Sequence, residues 1–216
     1  MRIGKVVKSN SHCDYVIEVD DRLSVKTPPS PEDYSFGSFV KLETPERHWG
    51  VGIIYNTQLF NPAFLNSGPR LSSDPNPIYA PDLQSEIKTL VAVVMVGTLE
   101  PPEHLTLGSR TLDMDSKPTQ RPHIYGEQGI PRLVVPVNTL AHKMQDQEIY
   151  QFHQNRQGDP QFAYYGLLLN CGGSFSDHLI HQVLNEISPM FFGPQRQALE
   201  ILTKELSWKM TMGAMR

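Results

Sequence analysis

The sequence predicts a mainly β protein, α+β overall, in which a small β-barrel with two long proline-rich loops precedes a short helical C-terminal region. Short segments rich in β-branched and aromatic residues recur between turns through residues 1–137. Eighteen prolines and fifteen glycines indicate many turns and long loops. From residue 138 to residue 216, apolar side chains recur at helical spacing instead. We therefore expect a barrel domain over 1–137 and a helical region with a C-terminal tail over 138–216.

The predicted barrel strands show either alternation or an apolar run. Residues 15–19 alternate, with Tyr15, Ile17 and Val19 on one face. Residues 89–99 are almost continuously apolar, which suits a strand buried on both faces. The expected strands are 3–7, 15–19, 23–25, 37–42, 49–55, 89–99 and 132–137.

Two long loops are expected inside the barrel domain, at 61–87 and 101–131. Each contains five prolines, and proline has no N–H with which to continue a central strand. Loops of this length are uncommon in compact domains and are often binding arms or partly disordered segments.

The C-terminal region is expected to form short amphipathic helices. Their predicted spans are 139–153, 160–170, 174–187 and 194–206. Helices this short need a surface to pack against, which is either another helix or the barrel.

Charge and composition limit the possible partners. The net charge of −4 excludes a generally basic surface, although a local basic patch stays open. The longest apolar run, 90–96, is far shorter than the ~20 residues of a membrane helix. The N-terminus has no apolar stretch of the signal-peptide kind, and the two cysteines, Cys13 and Cys171, suit free thiols in a reducing cytosol. A cytoplasmic location without membrane contact is expected.

Four segments in the first half of the chain resemble, in their order, the HAS-barrel family. They are Ile3-Gly4-Lys5-Val6-Val7, residues 15–19, the segment 34–40 with its Gly37-Ser38-Phe39-Val40, and Trp49-Gly50-Val51-Gly52-Ile53-Ile54. The resemblance covers 1–62, extends loosely to 88–100 and 130–137, and is absent from 138–216. HAS barrels lie at the N-terminus of HerA-type ATPases and of ATP-synthase ring subunits, so the resemblance implies oligomer building and docking. The ATPase core is missing, because the sequence has no GxxxxGK[ST] phosphate loop.

Several small clusters have residue types that can support chemistry, but simpler interpretations are favoured. His178 and His181 share a predicted helix face without further metal ligands, which favours a solvated polar face. Cys171 lies at a predicted helix end, where a structural thiol is commoner than a nucleophile. Asp113 and Asp115 lack the other ligands of a calcium loop.

Aromatic residues cluster around the start of the helical region. Tyr164, Tyr165 and residues 150–152 have only Arg156 as a basic neighbour. Stacking on nucleic acid requires several basic residues among the aromatics, so helix packing is favoured.

The C-terminal tail has an unusual concentration of apolar side chains. Trp208, Met210, Met212 and Met215 lie within nine residues, and methionine adapts to irregular grooves. The alternation over 208–212 predicts an extended segment. That segment either folds back onto the barrel or contacts a partner, and we predict that these four residues bind the partner.

The expected function is a non-catalytic interaction or assembly module without a cofactor, oligomeric or bound to a protein such as a HerA-like ATPase in DNA processing. Two alternatives stay open. One is a nucleic-acid-associated factor that uses the barrel face or the loops. The other is an enzyme assembled from loop residues such as His104, Asp113, Asp115 and His123.

Overall fold

A computed structural model describes residues 1–43, 49–60, 87–99, 126–132, 134–155, 157–171 and 173–214. Seven strands lie in these residues: β1 (Arg2–Ser9), β2 (Asp14–Val19), β3 (Phe39–Glu43), β4 (Trp49–Phe60), β5 (Lys88–Leu99), β6 (Gly126–Gln128) and β7 (Leu140–Lys143). Four helices follow: α1 (Asp146–Phe152), α2 (Tyr165–Cys171), α3 (Ser176–Ile187) and α4 (Gly193–Ala214). Most of both predicted loops lies outside the described residues.

Six strands close into an antiparallel β-barrel, as the sequence predicted. The order is β2-β1-β7-β3-β4-β5, and β2 pairs back onto β5 to close it. The short β6 continues on β5 beyond β2, pairing with residues 97–99. Because β6 falls within 101–131, the expectation of a continuous loop there is wrong at its C-terminal end.

The barrel wall separates two hydrophobic clusters, because alternate residues of its strands point to opposite sides. On β5, Val91, Val93 and Met95 belong to the cluster inside the barrel. Val94 and Val96 point the other way, into a cluster shared with the four helices. The prediction that this strand is buried on both faces is confirmed, and the helices find their partner surface on the outside of the barrel.

Two glutamines and a close glycine contact attach the helices to β6. The Gln161 side-chain amide lies within hydrogen-bond distance of the backbone oxygens of Gly126 (2.9 Å) and Phe152 (3.1 Å). Gln128 accepts a 2.8 Å hydrogen bond from the Ala163 N–H. A Cβ atom on Gly126 would lie 2.9 Å from the Phe152 backbone oxygen, so only glycine allows this approach.

Two predicted strands are absent. Residues 23–25 form a turn, because the Asp21 carboxylate accepts hydrogen bonds from the N–H groups of Leu23 (3.0 Å) and Ser24 (2.8 Å). The described part of 132–137 has no strand pairing. There the Val135 N–H donates to the Tyr15 hydroxyl at 3.1 Å, inside the barrel.

Two predicted helices are shorter than expected. Residues 139–153 divide into β7, which pairs with β1 and β3, and α1. One barrel strand therefore lies beyond residue 137, where the helical region was expected to begin. The helix predicted at 160–170 begins only at Tyr165, because the glutamine contacts hold the preceding residues in a loop. No helix in the described residues has the length and apolar character needed to cross a membrane.

Candidate interaction surface on the C-terminal helix

The last helix extends through the segment that the sequence predicted to be extended. Helix α4 runs without interruption from Gly193 to Ala214, so the prediction of an extended segment over 208–212 is wrong. The Thr211 hydroxyl donates to the Ser207 carbonyl at 2.9 Å, an i to i−4 contact that needs helical geometry. Helical spacing overrides the alternation because α4 has two apolar faces, one turned inward and one turned outward.

The inner face of α4 packs against the body of the protein. Leu199 and Leu206 are each 6% exposed, and Met210 packs against the same cluster. Their spacing of seven and four residues places them on one side of a helix. This seam fixes α4 to α3.

The outer face of α4 is a second apolar stripe, and it is open to solvent. Ile201 is 62% exposed, Trp208 69% and Met212 47%. Together with the exposed Ala198 and Glu205, they recur at spacings of three, four, three and four residues. We call these five residues the outer seam. Such spacing is the heptad pattern of helices that pair with another helix.

A pocket adjoins the outer seam. Its volume is about 320 Å³, and it lies where α4 passes over α2 and α3. The lining includes Tyr165 of α2, Leu184 of α3, and Leu202, Glu205, Trp208 and Lys209 of α4. An apolar pocket with one carboxylate and one ammonium group at its edge can take an aromatic side chain from a partner.

A family model for a domain of unknown function (DUF8166) matches residues 1–216. The chain belongs to the DUF8166 family. None of the curated proteins matches the chain significantly. The resemblance of this DUF8166 domain to HAS barrels stays a prediction.

Helical geometry divides the four residues predicted to bind a partner. Trp208 and Met212 lie on the outer seam, whereas Met210 faces inward. Met215 lies outside the described residues. Sequence reasoning missed Ile201 and Glu205, which the 3-4-3-4 spacing of α4 would have identified had the helix been extended to its end.

A fully buried histidine lies beneath the helices, and the sequence analysis did not identify it. The Nδ1–H of His153 donates to the Ile149 carbonyl (2.7 Å), and the Tyr164 hydroxyl donates to Nε2 (2.6 Å). Nδ1 carries the hydrogen of the neutral ring, because a carbonyl oxygen can only accept a hydrogen bond. Burial lowers the pKa of His153 to about 4 and raises that of Tyr164 well above its ordinary range. The pair has no access to solvent and ties α1 to α2.

Three of the other clusters lie at least partly within the described residues. His178 is exposed on α3, and His181 contacts Asn185 at 3.1 Å. Burial raises the pKa of Cys171, and the neighbouring Asp14 carboxylate raises it further, so its thiol stays protonated at neutral pH. Tyr164 is a buried packing residue.

The residues of the loop-enzyme alternative cannot be placed in this structure. His104, Asp113, Asp115 and His123 lie outside the described residues, as does Arg156.

Proposed function

We propose that this DUF8166 domain is a non-catalytic assembly module that docks a protein on the outer face of α4. One observation supports the proposal above all others. Helix α4 is anchored by one apolar face and exposes a second, with Ile201 and Trp208 more than half open to solvent. A surface helix of a globular protein normally has a single apolar face, and a second one indicates an interaction surface.

The apolar side chains of the outer seam contribute too little by themselves to hold a stable complex. Burying one large apolar side chain contributes about 1.5–3 kcal/mol. Three of them, Ile201, Trp208 and Met212, contribute about 4.5–9 kcal/mol at most, because each is already partly covered. Association itself costs about 4–15 kcal/mol. The outer seam therefore needs the adjoining pocket to form a stable complex.

The resemblance to HAS barrels is consistent with the same role, since those barrels build oligomers beside an ATPase. A HerA-like ATPase is accordingly part of this proposal as a further partner. So is a cytoplasmic location, where thiols stay reduced. Both cysteines are free in the structure.

A single charge placed on the outer seam tests the proposal. Trp208→Glu removes the largest apolar side chain of the outer seam, and Leu23→Glu is the matched control, because Leu23 is 78% exposed but lies in a barrel turn. The measurement is the native size of the tagged chain in extracts of the cells that produce it, with circular dichroism to confirm folding. We expect the wild type and Leu23→Glu to migrate as a complex and Trp208→Glu as a monomer. If Trp208→Glu keeps the wild-type size, α4 is not the docking surface.

A further inference from the structure

The outer seam has the heptad register along which two copies of α4 can pair. The core positions a and d of the heptad are taken in turn by its five residues, Ala198, Ile201, Glu205, Trp208 and Met212. Lys204 and Lys209 then occupy the flanking positions, which face the neighbouring helix across the core. The seam runs for about 21 Å along the helix at 1.5 Å per residue.

Charge disfavours a parallel pair of α4 helices in register. The two Glu205 side chains would face each other in one core layer. Lys204 of each copy would lie beside Lys209 of the other. Like charges at both positions repel.

An antiparallel pair removes both conflicts. With the twofold axis between residues 206 and 207, Ile201 of each copy meets Met212 of the second copy. Glu205 meets Trp208 of the second copy, with Lys209 of that copy next to it. Each carboxylate thus gains an indole and an ammonium neighbour of opposite charge, and the arrangement repeats itself on both sides of the axis.

The pocket fits the same register. Glu205 lines the pocket of about 320 Å³, and Trp208 of the second copy lies opposite Glu205. The indole of each copy can therefore enter the pocket of the other. Buried tryptophans in pockets are typical anchors of protein interfaces, and here both anchors arise from a single side chain used twice.

We infer that the occupant of the outer face is a second copy of this chain, bound as a twofold dimer with the α4 helices antiparallel. This inference rests on the proposed function and adds the partner and its orientation. It also gives Glu205 and Lys209 a role in choosing the antiparallel direction.

Charge exchange on the purified full-length chain tests the orientation. Glu205→Lys places a second ammonium group beside Lys209 of the second copy. Lys209→Glu places a second carboxylate beside Glu205 of the second copy. Both positions are exposed, so the variants retain the fold. Sedimentation equilibrium measures the dimer dissociation constant for the 24.4 kDa chain. We expect each single variant to weaken the dimer about tenfold, over the two symmetric contacts, and the double variant to recover it. Equal weakening in the double variant would overturn the pairing of Glu205 with Lys209.

Cross-linking gives an independent test of direction. In a background with Cys13→Ser and Cys171→Ser, Ile201→Cys and Met212→Cys are prepared separately and mixed with a short bis-maleimide. The antiparallel dimer links Ile201→Cys to Met212→Cys. Self-linking of Ile201→Cys alone indicates a parallel dimer and overturns the inference.

The two proposals fail in different ways. A purified wild-type chain that stays monomeric at high concentration overturns the homodimer. The proposed function survives that result if Trp208→Glu still reduces the native size in cell extracts, because the partner is then another protein.

Discussion

The buried His153 makes the stability of the fold depend on pH, and the size of the effect follows from its surroundings. Its ring is 0% exposed and packs edge-on against Phe39 and Phe152 at 5.2 Å. This apolar environment lowers the pKa from 6.5 to about 4. Below pH 6.5 the unfolded chain binds a proton that the folded chain cannot, so this contribution to stability is lost as the pH falls toward 4. A shift of this size corresponds to a loss of about 3 kcal/mol.

Urea unfolding between pH 4 and pH 8 measures this loss. In His153→Gln the titrating group is removed, while the amide oxygen can still accept the Tyr164 hydrogen bond. We expect the variant to be less stable at pH 7, because the ring packing is lost, but to lose less stability on acidification than the wild type. The matched control is His178→Gln, since His178 is exposed on α3. Equal acid dependence in the wild type and His153→Gln would refute the assignment.

Two further predictions concern the packing of the helices on the barrel. Burial raises the pKa of Glu186 from 4.5 to about 7; Asp146 adds to the increase and Lys143 opposes it, so stability declines as the pH rises through this range. In urea unfolding, Glu186→Gln should be more stable than the wild type at pH 8 and nearly equal to it at pH 4.5. A difference in stability that is the same at both pH values would contradict this prediction. Gly126→Ala should cost about 1–3 kcal/mol because its Cβ meets Phe152. Gly166 lies in α2 with open space around it, so Gly166→Ala should stabilise the protein by about 0.5–1 kcal/mol in the same assay. Equal effects of the two glycine substitutions on stability would refute the packing argument.

The barrel was predictable because its signals are local. Residues 89–99 show by their apolar run alone that the strand is buried on both sides, and the structure distributes them between two clusters. The predictions fail where the contact that determines the local structure comes from residues distant in the sequence. Residues 140–143 become a strand only because β1 and β3, both far earlier in the chain, offer free edges. Nothing within residues 139–153 reveals those edges.

The buried His153 shows the same limit in another form. A histidine that follows a helix of mixed polarity looks like a surface residue. Its burial depends on Phe39 from the barrel and on Tyr164, which immediately precedes the next helix. The spacing of residues in the sequence predicts neither contact. The lowered pKa of His153 follows only when both contacts are known.

The C-terminal helix shows how two periodicities compete for one segment. Over five residues, 208–212, apolar positions at 208, 210 and 212 fit a strand. Over the whole of α4 the same residues divide into an inner seam with Leu199, Leu206 and Met210 and an outer seam with Ile201, Trp208 and Met212. The longer pattern prevails because the inner seam already fixes the helix against α3, and each added turn satisfies its backbone hydrogen bonds internally. Met210 then packs against the core cluster, whereas Trp208 and Met212 stay exposed. Deleting residues 208–216 would confuse these roles, and single substitutions on the outer seam separate docking from stability.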